Sequence, residues 1–185
     1  QNLENVTNSL KNRKASGPDC ISNEMLKVCV PSLSNIFMKV LNHVMQSEKF
    51  PNDWSEGYIT SLYKKGDMLD PNNYRGLTIS NCLGKLLTKI MSSRLLKFLE
   101  ENKIINVSQI GFKPKCRTSD HILVLQTICD LYKKKHKGVY MCFVDLAKAF
   151  DSVNRELLWY KLCKYKFSTK FLNILKSLYS NLHAC

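Results

Sequence analysis

Nothing in this chain is spaced to clip a metal or to staple a loop. Of its eight cysteines the nearest two are Cys20 and Cys29, so no Cys-x-x-Cys pair exists. The four histidines, His43, His121, His136 and His183, are scattered and add no ligand pattern. A zinc site is therefore not expected, and the thiols read as reduced, small core residues of an intracellular protein. Long apolar runs are missing too: the longest, such as residues 139–144, fall far below the roughly 20 residues of a bilayer-crossing helix. No signal peptide, internal repeat, low-complexity block or Gly/Ser linker appears, which leaves no hard domain boundary. Acid is in short supply as well. Against 28 Lys and Arg stand 15 Asp and Glu, a net charge of +13 and a pI near 9.4.

That basic excess favours a polyanionic partner, because neutralising phosphates releases counterions and yields sequence-independent affinity for nucleic acid. A generally basic soluble protein would show the same total. The lysines are not confined to a tail: Lys64 and Lys65, Lys113 to Arg117, and Lys133 to Lys137 lie between apolar segments, as basic edges on a folded body do. With 185 residues, 44% of them apolar, the chain can bury a real core. It begins at Gln1 and stops at Cys185 just after a helical pattern, and reads as a piece of a longer chain.

Periodicity predicts a mixed fold. Leu3, Val6 and Leu10 keep helical spacing until Gly17 and Pro18 break it. A short helix is expected from Ser22 to near Pro31, then a stronger one whose apolar face is Leu33, Ile36, Phe37, Val40, Leu41 and Val44. After Pro51 the period changes: GYITSLY reads as a strand, KKGD as its turn and GLTIS as the returning strand. A long amphipathic helix follows from Leu83 to Phe98. KGVYMCFVD reads as another strand, leading into a helix that Asn154 caps, and a last helix runs from Phe171 to Leu182.

Asp145 ends that last predicted strand, where a carboxylate projects into the space in which such sheets commonly hold ligands. It is a hard oxygen donor of the kind magnesium takes. Taken alone, an aspartate there is more often a strand-end residue, and Asp151 more often a cap or turn residue.

Several stretches together change that weighting. FVDLAKAFDSVNRELLW resembles the first catalytic motif of the reverse transcriptases of non-LTR retrotransposons. KASGPDCISNEMLK, WSEGYITSLYKKGD, NYRGLTISNCLGKLLTKIMSSRL and SQIGFKPKCRTSDHI resemble, in the family's order, the segment before the fingers, the fingers hairpin and its helix, and the lead into the palm. The resemblance implies an α+β right-hand polymerase, fingers and partial palm, helix-rich with a few antiparallel strands. Residues 1–50 would be a helical segment before the fingers, 51–137 the fingers and 138–185 the start of the palm.

Residue by residue, it implies that Asp145 is a catalytic metal ligand and that the backbone of Leu146 lines the same metal. Phe150 would lie under the incoming sugar and select deoxynucleotides, although a core ring would look alike in sequence. Lys65 and Arg75 would grip the triphosphate, with Lys64 a rival for the lysine role; a solvated hairpin edge is the plain alternative. Gln109, Gly111, Phe112 and Arg117 would touch the template, though a loop tied down by Phe112 would read the same way. Magnesium, two ions in the intact enzyme, an RNA template, a DNA primer and deoxynucleoside triphosphates follow by the same resemblance, as does work in cytoplasm and nucleus.

Two positions depart from the family pattern. Cys20 stands where glycine usually follows Gly-Pro-Asp, and the segment after Lys161 lacks a glycine often found there. No aromatic-x-Asp-Asp occurs, so the two remaining catalytic aspartates are expected past Cys185 and the fragment alone is expected to be inactive. A catalytically dead or domesticated relative that binds RNA only, and an intron-encoded or telomere-type enzyme, are the alternatives.

Overall fold

The computed structural model describes residues 3–147, 149–180 and 183–184; Leu182, expected at the end of the last helix, lies outside them. The elements are α1 (Leu3–Asn8), α2 (Asn23–Ser47), α3 (Asn52–Ser55), β1 (Glu56–Tyr63), β2 (Tyr74–Ser80), α4 (Cys82–Glu101), α5 (Thr118–Lys134), α6 (Arg155–Lys164), α7 (Thr169–Ser180) and β3 (His183–Ala184). The fold is helix-rich α+β. Two compact units divide it, residues 1–98 with 159–185, and residues 99–158.

The first unit owns the core. Leu3 and Val6 of α1, Val30, Leu41 and Val44 of α2, Leu86, Leu87 and Met91 of α4, Phe171 and Ile174 of α7, and Phe50 from the turn between α2 and α3 pack into one cluster. Each fully buried aliphatic side chain there contributes roughly 1.5–3 kcal/mol. The two helices expected on either side of Pro31 run on as one, with a kink at Leu33 (φ −114°, ψ 19°), and Ser22 caps the first turn by accepting from the Met25 amide. Proline removes a backbone donor two residues before the kink, which weakens the helix there. Ser168 Oγ similarly accepts from the Phe171 amide at the start of α7.

The hairpin forms as its alternation predicts: β1 and β2 are antiparallel from Gly57 opposite Ser80 to Tyr63 opposite Tyr74. The Tyr63 and Tyr74 rings, 5.5 Å apart, close its end, a cross-strand aromatic pair. The two-residue β3 adds to the other side of β1 in parallel, giving the order β2-β1-β3. The connection is longer than KKGD alone, since residues 64–73 include a 3-10 turn at Pro71–Asn73.

Residues 99–158 differ in kind: none of those described is buried. The strand expected at KGVYMCFVD does not form; residues 138–146 carry no regular structure. Its composition is that of a strand covered on both faces, yet Tyr140, Phe143 and Val144 are exposed by 102%, 79% and 82%. A strand without a neighbour leaves its amides and carbonyls unpaired, so apolar composition alone cannot hold it. In the same unit α5, which no sequence pattern announced, does form. No helix among the described residues is long and apolar enough to cross a membrane.

The expected core role of the thiols holds fully for Cys82 alone among the seven described cysteines. Cys20, Cys29, Cys142 and Cys163 are exposed, and Cys116 and Cys129 are half-buried. Burial pushes the Cys82 thiol above its ordinary value, and its Sγ donates to Asn23 Oδ1 at 3.3 Å.

Candidate functional site

In the first unit, Lys65 and Arg75 sit at one end of the hairpin. Arg75 lies on β2 opposite Leu62, and Lys65 follows the end of β1 by two residues; both are exposed. The loop between them is held by its own polar groups. The Lys64 amide donates to the Asn73 carbonyl at 2.8 Å, and Asn73 Nδ2 donates to the Asp67 carbonyl at 2.9 Å. Asp67 Oδ1 accepts from the Leu69 amide and Asp70 Oδ1 from the Asn72 amide, each at 2.9 Å. Both loop carboxylates are thus turned to the loop's backbone. Gly66 follows Lys65 with φ +100°, a conformation that side chains rarely adopt, and a Cβ there would meet Asn73 Nδ2 at 2.7 Å. The turn therefore requires glycine immediately after the lysine.

In the second unit, Gln109, Gly111, Phe112 and Arg117 line one open cleft of about 350 Å³, together with Cys116 and His121. The Arg117 amide donates to Asp120 Oδ2 at 2.7 Å, which anchors its backbone at the start of α5, and the residue lines the cleft. Phe112 holds a left-handed φ of 61° and is 87% exposed, so it does not tie the loop to any core. The Phe150 ring stands 6.2 Å from it, edge to face, and is 80% exposed. Neither ring is a core residue within these 185 residues. Sequence reasoning missed His121, whose signal is the helical step of four from Arg117.

Asp145 and Leu146 lie on the irregular segment before Phe150, both exposed. Asn154 caps α6 as expected, its Oδ1 accepting from the Leu157 amide at 3.1 Å. The Asp145 carboxylate and the Leu146 carbonyl are hard oxygen donors with the right chemistry for magnesium. Their number falls short of a complete site. Among the described residues no three His, Cys, Asp or Glu side chains gather to hold an ion.

A net charge of +13, cations at a hairpin end, and exposed rings beside an arginine-lined cleft suit a protein that handles polyanions. The sequence profile of the family described as reverse transcriptase (RNA-dependent DNA polymerase) matches residues 62–184, and the chain belongs to that family. It is 27% identical over 180 residues to the RNA-directed DNA polymerase from mobile element jockey of Drosophila funebris, covering 96% of this chain and 19% of the relative. It is 27% identical to the probable RNA-directed DNA polymerase from transposon X-element of Drosophila melanogaster, over 90% of this chain and 18% of the relative. A Pol polyprotein from type-1 retrotransposable element R2 of Popillia japonica is 26% identical over 82% of this chain and 20% of its own length. The chain thus spans about one fifth of the curated relatives it matches.

Proposed function

We propose that this chain is the fingers and first palm portion of an RNA-directed DNA polymerase of a non-LTR retroelement, acting inside the cell in cytoplasm and nucleus. Residues 1–50 lead into the fingers, 51–137 form them and 138–185 begin the palm. Lys65 and Arg75 grip the triphosphate of an incoming deoxynucleotide, the arginine by its bidentate fork and the lysine as a point charge. Gln109, Gly111, Phe112 and Arg117 contact the RNA template paired to a DNA primer. Phe150 underlies the sugar and leaves no room for a 2′-hydroxyl. Asp145 supplies one carboxylate, beside the Leu146 carbonyl, to a magnesium pair whose other ligands come from outside these residues. When bound, those ions neutralise charge on the reacting phosphates.

The observation that carries the reading is the exposure of Phe112 and Phe150, two large rings turned out of any core beside a cleft lined by Gln109 and Arg117. A ring kept in water has little structural use and is free to meet a base or sugar. The test is primer extension by the full-length protein on an RNA template. Asp145→Asn is expected to lower it by about a thousandfold, as loss of charge stabilisation at a reacting centre does. Phe150→Ala is expected to raise ribonucleotide incorporation relative to deoxynucleotide. Magnesium-dependent extension that survives Asp145→Asn would remove the aspartate from the site, and an unaltered protein that binds RNA without extending a primer would make it an RNA-binding relative.

A further inference from the structure

A second aromatic and cationic cleft lies in the first unit and is lined by none of the residues assigned above. It is lined by Arg94, Leu95 and Phe98 near the end of α4 and by Lys166, Phe167 and Phe171 at the α6–α7 turn, and encloses about 310 Å³. Three rings run through it: Phe98 and Phe167 are 4.4 Å apart, and Phe167 stacks on Phe171 at 5.8 Å. Phe171 belongs to the core and Phe167 packs against it, but Phe98 and Phe167 are only half-buried and both line the cleft. Arg94 and Lys166 are exposed, and no acidic residue among those described lines the cleft.

The backbone adds an independent sign. The Lys166 and Phe167 amides donate to the Cys163 and Leu162 carbonyls at 2.9 and 3.2 Å, closing α6 by the double bond pattern that usually ends on a left-handed glycine. Lys166 occupies that left-handed place, at φ 61°. A strained lysine at a position made for glycine points to a use for its charge.

We propose that this cleft is an accessory site for a single-stranded nucleic-acid segment, one base stacking on Phe167 and Phe98 and the flanking phosphates held by Arg94 and Lys166. The proposal deepens the polymerase reading and rests on it, naming a further place that holds template or transcript. Paired bases hide their faces, so rings in a cleft select unpaired strands, and cations in the same lining attract the phosphates that flank them.

The test is an anisotropy titration of the full chain with a short oligouridylate and with its abasic counterpart, across a salt series. Arg94→Gln is expected to weaken binding about three- to tenfold and to flatten the log–log salt slope by about 0.7, one phosphate contact on a single strand. Phe167→Leu, which keeps apolar volume but loses the ring face, is expected to cost about fivefold or more for the base-bearing strand and nothing for the abasic one. Lys166→Gly is the sharpest variant: thermal stability should rise while affinity falls, whereas a purely structural lysine would give the first effect without the second. Photo-crosslinks from an iodouridine strand on the unaltered protein should map to Phe98 or Phe167. Crosslinks that map only elsewhere, or an unchanged base-over-abasic preference in Phe167→Leu, overturn this site and leave the polymerase reading standing. No binding of either strand by the unaltered protein overturns both.

Discussion

Gly17 lies so close to Asn81 that a Cβ built on it would stand 2.7 Å from the Asn81 amide nitrogen and 2.8 Å from its Cα. The asparagine is buried and works in both directions: its Oδ1 accepts from the Asp19 amide at 3.2 Å, and its Nδ2 donates to the Asp53 carbonyl. The Gly-Pro-Asp turn is thereby fastened to the start of α4 and to α3. Because the obstacle is backbone, no rotamer change relieves it. Gly17→Ala is expected to destabilise the chain by about 1–3 kcal/mol, the usual range for overpacking, read as a lowered urea midpoint; an unchanged midpoint would mean that the turn is free to move off Asn81.

Cys20, three residues on, shows the opposite mismatch. Its amide donates to the Gly17 carbonyl at 3.0 Å and its φ is 56°, the left-handed conformation that a glycine would adopt without strain. Relief of the Cβ clash outweighs the extra freedom that glycine has when unfolded, so Cys20→Gly is expected to raise stability by about 0.5–1 kcal/mol. Cys20→Ala retains the Cβ and should leave stability near that of the unaltered chain, which separates backbone relief from loss of the thiol.

Those two turn residues are legible in the sequence itself, because Gly-Pro-Asp announces a turn and a β-carbon at its end conflicts with the geometry. The hairpin and α4 are legible for a related reason: their periods are sustained over enough residues to be unambiguous, and Gly66 marks the turn. The helix α5 is hidden because Ile122, Leu123, Val124 and Leu125 run together and blur the helical step. Residues 139–144 mislead in the other direction, since strand composition states what a segment would bury and says nothing of whether a neighbour is there to pair with it. Individual candidate residues can be picked by motif, but the approach of Phe112 to Phe150, and of Phe98 to Phe167, joins positions far apart in sequence and only folding brings them together.

Glu24 gives the fold an acid sensitivity. The Arg13 amide donates to Glu24 Oε1 at 2.5 Å, and this bond, followed by the glutamate's own amide, holds the carboxyl below its ordinary 4.5. A carboxylate depressed in the folded state stabilises it above the unfolded value, and that contribution disappears as pH falls through the lowered folded value. The unaltered chain should therefore lose stability below about pH 4.5, where the unfolded state binds the proton more readily. In Glu24→Gln this part of the acid slope should vanish, seen as a smaller drop in urea midpoint between neutral and acid pH; an identical drop in both proteins would assign the slope to other carboxylates.

The hairpin end offers a choice between neighbouring lysines that sequence leaves open. Lys64 donates its amide to the Asn73 carbonyl at 2.8 Å and so continues the ladder, whereas Lys65 lies beyond it, against Gly66. The conformation required at Gly66 fixes the backbone direction immediately after Lys65. Arg75, on the returning strand, has its place set by its pairing opposite Leu62. If these two grip a triphosphate, Lys65→Ala and Arg75→Lys in the full-length polymerase should each raise the KM for deoxynucleotide about tenfold or more, the worth of one charge-assisted bond. Both are exposed positions, so the melting temperature should stay within a degree or two of the unaltered protein. Lys64→Ala should leave KM nearly unchanged. The reverse pattern, KM sensitive to Lys64 and indifferent to Lys65, would move the phosphate contact one residue back along the hairpin, and indifference to all three would reduce the basic end to the solvated edge that any exposed hairpin carries.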